Sequence, residues 1–249
     1  MPHLLILGGT TEASALAAAV AGRGMRATLS YAGRTAHPRA QPVPVRVGGF
    51  GGAEGLVAWL CAEQVSCVVD ATHPFAAQMS ANAVAAAERA GVPLVALTRP
   101  PWRAGAGDRW TPVADLEAAV AALDGPPRRV MLALGRLHVE RFAARPQHDY
   151  LLRFVDAPER APSLPQHRLV IDRGPFTVAG DRRLLEAHRT ELIICKNAGG
   201  EGAAAKLAAA RALGVPVLMI DRPALPERRT CDSVAAVLHW LDHATDRGV

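Results

Sequence analysis

Aromatic residues are scarce in this sequence: five phenylalanines, four tryptophans and two tyrosines in 249 residues. Its hydrophobic half is carried instead by alanine-rich stretches and Val/Leu/Ile runs, a composition that excludes a disordered chain. No segment approaches the ~18 apolar residues of a membrane span. The start, Met1-Pro2-His3, has no basic segment ahead of its short apolar run, so no secretory leader is expected and the chain reads as cytoplasmic. A dense Lys/Arg run with interleaved aromatics is also missing. That argues against nucleic acid despite a net charge of +5 and a pI near 9.5, and leaves a polyanionic small molecule as the partner the charge favours. Cysteine is sparse too. Cys61, Cys67, Cys195 and Cys231 form no C-x-x-C pair, and Cys67 and Cys195 sit in apolar strand-like runs as small core residues. "HWLDH" (His239 to His243) puts two imidazoles on one helix face, but it lies in a trailing amphipathic helix and reads as coincidence. No metal site is expected.

What is present is an alternation. "LLILGG", "ATLS", "VPVRVGG", "CVVDATH" and "PLVALTRP" alternate with alanine-rich helical stretches, the pattern of α/β units on a parallel sheet. The second half repeats it. "AGVPLVALTRPPW" (Ala90 to Trp102) returns as "LGVPVLMIDRPAL" (Leu213 to Leu225), and "LLILGGTTEA" lines up with "VMLALGRLHV" (Val130 to Val139), at an offset of about 125 residues. That offset suits a domain and is too long for a solenoid repeat. The expectation is an α/β protein of two Rossmann-like parallel-sheet domains, residues 1–124 and 125–249, with the seam at "DGPPRR" and the active site in the groove between them.

The first copy has the parts of a nucleotide site. Gly8 and Gly9 end a strand and allow close backbone approach, while Thr10 or Thr11 caps the next helix, whose free N–H groups face an anion. Glu12 favours the helix dipole and is also placed to bond a ribose hydroxyl. NAD-binding domains carry an acid at the end of the second strand. Here "LSYAGRT" offers Ser30, Gly33, Arg34 and Thr35 and no acid, which suits a 2′-phosphate and favours NADPH; the plainer reading of Arg34 is a solvated loop cation. "VGGFGG" brings Gly49, Phe50 and Gly51 near a flat group such as adenine, unless Phe50 staples the loop to the core. "DATHPFA" ends the fourth strand, with Thr72 and His73 carrying the available protons. His73 is the candidate proton donor, against the commoner structural role of a lone histidine.

Taken in order, "GGTTEA", "SYAGRT", "VGGFGG", "DATHPFA", "SANA" and "RPPW", continued by "KNAGGEGAAAK" and the later "RP", resemble the precorrin-6A reductase family of cobalamin biosynthesis along nearly the whole chain. The resemblance implies an NADPH-dependent reduction of a ring-D double bond, giving precorrin-6B, and a fold of two Rossmann-like domains. Some relatives act on the cobalt-loaded substrate instead. The implied partner is a polycarboxylate corrinoid precursor, with other enzymes of the cobalamin pathway alongside.

The second copy lacks the first one's turn. Arg136 stands at the position read as that of Gly9, where its side chain would block a pyrophosphate. Arg136, Lys196 and Arg222 fall at strand ends as carboxylate partners, and "KNAGGEG" (Asn197, Gly199, Gly200) reads as a further helix N-terminus; each cation has a solubilising role as its alternative. Arg99 joins them, and Trp102 offers the macrocycle an apolar face. Hydride transfer needs no protein nucleophile or metal, so orientation and one proton, from His73 or water, are what the chain must supply. Two rivals follow from the same features: a two-lobed protein that binds a small acid without catalysis, and an NADPH reductase of a smaller imine.

Overall fold

The computed structural model describes residues 2–32 and 40–245. The chain divides into two compact units, Met1–Pro100 with Ala224–Val249, and Pro101–Pro223. The first unit holds β1 (His3–Leu7), β2 (Arg26–Tyr31), β3 (Val45–Val47), β4 (Val65–Asp70), β5 (Leu94–Leu97) and β12 (Thr230–Cys231). They form one parallel sheet in the order β12-β5-β4-β1-β2-β3. A sheet covered on both faces reads as a continuous apolar run, which is why "HLLIL" of β1 is buried throughout. Leu4 and Ile6 pack toward α1 (Thr11–Gly22) and α8 (Val234–Thr245). Leu5 and Leu7 pack toward α2 (Gly52–Ala62) and α3 (Ala77–Ala90). Helix α1 turns Ala13, Leu16, Ala17 and Val20 inward, the three-four spacing that keeps one face on the sheet.

The second unit repeats the order with β6 (Trp110–Val113), β7 (Arg129–Ala133), β8 (Asp149–Phe154), β9 (His167–Ile171), β10 (Leu192–Lys196) and β11 (Val217–Ile220). Its parallel sheet runs β6-β11-β10-β7-β8-β9. The helices α4 (Leu116–Ala121), α5 (Arg136–Val139), α6 (Val178–His188) and α7 (Ala205–Leu213) connect these strands.

The expected boundary between residues 124 and 125 is corrected by this topology. After β5 the chain leaves its own sheet and lays β6 beside β11, pairing Trp110 with Val217. After β11 it returns and lays β12 beside β5, pairing Thr230 with Ala96. Each sheet therefore takes its sixth strand from the far side of a crossing. The crossings fall at Pro100–Pro101 and Pro223–Ala224, within the two Arg-Pro repeats, and "DGPPRR" is an internal loop from α4 to β7. Apolar alternation tells a strand from a helix but carries no information on which sheet edge the strand joins. Among the described residues no helix is long and apolar enough to cross a membrane.

Candidate functional site

In the first sheet the neighbours of β1 are β2 on one side and β4 on the other, so the connections diverge there, at the point where open α/β sheets take their ligands. The glycine turn lies at that point. Gly8 donates its N–H to the Ser30 carbonyl at 2.8 Å, and a Cβ on Gly8 would meet Leu29 Cδ1 at 2.7 Å. Its smallness serves strand packing. Gly9 is different: its φ is +124° and the space a Cβ would fill is open, so the backbone is left uncovered at this residue. Thr10 is the N-cap of α1; its Oγ1 accepts from the Ala13 N–H at 3.1 Å and donates to the Ala71 carbonyl at 2.8 Å, tying the turn to the end of β4. Thr11 Oγ1 donates to Glu12 Oε2 at 3.1 Å. Glu12 pairs with Arg99 from the end of β5 at 2.9 Å. Partial burial pushes the Glu12 carboxyl up, but its own backbone N–H and Arg99 outweigh this and hold it below the ordinary value of 4.5. Arg99, expected among the substrate contacts, is thus engaged at the glycine turn.

At the ends of β2 and β3 the structure supplies a cation that the sequence reading missed. Arg46 of β3 pairs in register with Ser30 of β2. Its Nη1 donates to the Gly48 carbonyl at 2.6 Å and lies 3.4 Å from Ser30 Oγ, and its Nη2 donates to the Gly49 carbonyl at 2.7 Å. Its Cζ sits 3.8 Å over the Phe50 ring. Phe50 meets Trp59 edge-on at 5.5 Å and packs on the core, so it staples the loop, with Arg46 over one face of its ring. Gly51 adopts φ +83° as the N-cap of α2. Gly55, also unremarked in the sequence, leaves room for the Phe50 carbonyl, which a Cβ there would approach to 1.7 Å. Gly33, Arg34 and Thr35 lie outside the described residues.

The end of β4 is organised by Asp70, a buried carboxylate that the sequence reading passed over. Its Oδ1 accepts from the Thr72 N–H at 3.1 Å and from Thr72 Oγ1 at 2.6 Å, and its Oδ2 from Ser80 Oγ at 2.7 Å. Arg228 Nη2 reaches Oδ2 at 3.4 Å, while Arg228 Nε and Nη1 are buried without a hydrogen-bond partner among the described residues. The Thr72 proton is therefore committed to Asp70, which removes it as a donor to a ligand. His73 Nδ1 accepts from the Phe75 N–H at 3.2 Å, which places the proton of a neutral ring on Nε2.

In the second unit the turn after β7 is one residue shorter than that after β1. Thr10 caps α1 and Gly135 caps α5, so Arg136 takes the place of Thr11, the first helical residue, and not of Gly9. Arg136 is exposed. Helix α5 has four residues where α1 has twelve, so little dipole is left to bind a diphosphate. Lys196, at the end of β10, lies 2.7 Å from His138 Nε2. The "KNAGG" segment is not a helix N-terminus, because α7 begins only at Ala205. Instead, Asn197 uses both ends of its amide on the Trp102 backbone, at 2.8 and 3.0 Å. Trp102 Nε1 donates to the Gly200 carbonyl at 2.8 Å, and Lys206 Nζ lies 4.7 Å from the centre of its ring. Arg222 holds the Asn197 and Ala198 carbonyls at 2.9 and 3.1 Å, and Gly199 and Gly200 make the turn with φ of +70° and +75°. Asn197, Trp102 and Arg222 thus shape this loop, leaving Lys196 with His138 as the ionisable pair at the strand ends. The His239 and His243 rings meet edge-on at 4.5 Å, and among the described residues no three His, Cys, Asp or Glu side chains gather as a metal site would require.

Residues 3–242 match the model of the family described as precorrin-6x reductase CbiJ/CobK. A precorrin-6A reductase of Rhodobacter capsulatus is 60% identical over 251 residues, covering 100% of both chains. A precorrin-6A reductase of Rhodococcus erythropolis is 47% identical over 250 residues, covering 99% of this chain and 100% of the relative. A solved structure described as CobK precorrin-6A reductase superposes with a TM-score of 0.94 at 59% identity, covering 98% of this chain and 97% of that one.

Proposed function

We propose that this chain, which belongs to the precorrin-6x reductase CbiJ/CobK family, reduces precorrin-6A to precorrin-6B with NADPH in cobalamin biosynthesis. The observation that carries the substrate assignment is its 60% identity, end to end, with a precorrin-6A reductase. The cofactor assignment has its own support. The space over Gly9, the N-terminus of the twelve-residue α1 and the acid-free end of β2 suit the diphosphate and 2′-phosphate of NADPH.

Bound NADPH supplies the hydride; the chain supplies position and charge. Gly9 and the N–H groups of the first turn of α1 hold the diphosphate, with Arg99 offsetting the Glu12 carboxylate beside it. Thr10, fastened to Ala71, fixes the turn relative to the end of β4. Asp70 holds Thr72, next to His73, the residue assigned to pass a proton to the carbon next to the one that receives hydride. Lys196 and Arg136 of the second unit bind acetate or propionate arms of the substrate.

Anaerobic mixing with precorrin-6A and NADPH, followed by absorbance, tests the reading. One NADPH oxidised per macrocycle reduced is expected; no oxidation of NADPH in the presence of precorrin-6A would overturn it. His73→Ala is expected to lower kcat about a hundredfold with NADPH affinity unchanged.

A further inference from the structure

We infer that Arg46, acting with Ser30, is the residue pair that recognises the 2′-phosphate of the cofactor and so sets NADPH over NADH. This rests on the NADPH reading above and adds to it the guanidinium that enforces it.

Position is the first argument. Ser30 pairs in register with Leu7 on one side and Arg46 on the other, and its carbonyl accepts the Gly8 N–H, so Ser30 lies beside the glycine turn and Arg46 follows it one strand further out. In doubly wound sheets the end of the second strand is where the adenosine ribose presents its 2′ position. An acid there would bond a free hydroxyl. Here the register position holds a serine, with an arginine beside it.

The donor inventory is the second. A guanidinium has five N–H donors. Three contacts, to Ser30 Oγ and the Gly48 and Gly49 carbonyls, engage three of them, leaving Nε–H and one Nη2–H without a partner among the described residues. No carboxylate among the described residues lies within ion-pair range of Arg46. Ser30, which is buried, accepts from Arg46, and its own hydroxyl proton has no acceptor among the described residues. The set is one hydroxyl donor, two guanidinium donors and one uncompensated positive charge. A phosphomonoester dianion satisfies all of it, and a ribose hydroxyl does not.

Preorganisation is the third. Two carbonyl contacts and the Phe50 face hold the guanidinium in place, so little side-chain entropy remains to be lost on binding. A guanidinium that only clamped the glycine loop would also show these contacts. The clamp role, however, is indifferent to the 2′-phosphate and would affect both cofactors alike.

The test is the ratio of dissociation constants for NADPH and NADH, by fluorescence titration of the full chain in the wild type, Arg46→Met, Arg46→Gln and Arg34→Ala. The wild type is expected to favour NADPH by roughly ten- to a hundredfold, and both Arg46 variants to bring the ratio within about threefold while NADH binding changes little. Retained NADH binding also reports that the domain is folded. Competition by 2′,5′-ADP but not 5′-AMP should weaken in the same variants. If both Arg46 variants keep the wild-type ratio, or if they weaken the two cofactors equally, the assignment to Arg46 is overturned and the NADPH reading stands. If only Arg34→Ala collapses the ratio, the guanidinium that matters is Arg34. Equal binding of both cofactors by the wild type would remove the NADPH reading and the assignment together.

Discussion

Glu12 and Arg99 meet at 2.9 Å across 87 residues of sequence, joining the first turn of α1 to the end of β5. The pair leaves the glycine turn close to neutral, although a lone carboxylate there would oppose a diphosphate. Arg99→Ala should therefore weaken NADPH binding about tenfold, and Glu12→Gln should bind at least as tightly as the wild type. Calorimetric titration of both variants checks this; equal weakening by the two substitutions would contradict it. The folded Glu12 carboxyl is held below its ordinary 4.5, so the stability it confers is present above that pH and is lost as pH falls through the folded value. The difference in thermal stability between wild type and Glu12→Gln should shrink over that acid range.

The glycines of the loop before α2 should respond very differently to alanine. A Cβ at Gly55 meets the Phe50 backbone carbonyl at 1.7 Å, which a side-chain rotation cannot relieve, whereas a Cβ at Gly49 meets nothing within 4 Å. Gly55→Ala is expected to cost on the order of 3 kcal/mol and Gly49→Ala less than about 0.5. Denaturant unfolding without cofactor compares them. Equal midpoints would show that the loop relaxes at no cost.

Titration should find one NADPH per chain, because the second unit offers a four-residue helix after a shortened turn. Lys196→Met is expected to raise KM for the corrinoid about tenfold with NADPH affinity unchanged, since its ammonium stands at the strand ends of the second sheet. Added salt should weaken substrate binding in the wild type more than in the variant. Loss of NADPH affinity in this variant would reverse the roles assigned to the two units.

His188 is buried, and that burial outweighs the Asp149 carboxylate 3.6 Å away, with Arg129 and Arg168 adding to it. Its pKa is lowered from 6.5, so on acidification the unfolded chain takes up a proton before the folded chain does. Stability should fall as pH drops below about 6.5. His188→Asn should flatten that part of the profile, measured as thermal midpoint from pH 7 to pH 5. An unchanged slope would place the dependence elsewhere.

Much of this protein is determined locally and is readable from one dimension. Apolar runs covered on both faces specify parallel strands, glycine at φ +124° and a threonine cap specify the turn before α1, and the recurrence of "GVP" and "RP" specifies two related sheets. These are near-neighbour preferences of backbone and side chain. What tertiary structure alone decides is which distant groups share an edge. The exchange of β6 and β12 carries Arg228 to Asp70 across 158 positions, and moves the domain seams to the two Arg-Pro segments that follow β5 and β11. Arg46 is invisible in sequence because the middle residue of "VRV" reads as an alternating surface cation; only the register of β3 makes it a neighbour of Ser30 at the end of β2. Asn197, Trp102 and Arg222 show the reverse. Read in sequence as ligand groups, they bond a loop and one another through the Asn197 amide, the Trp102 indole N–H and part of the Arg222 guanidinium, because hydrogen-bond partners far apart in sequence are set by packing, not by composition.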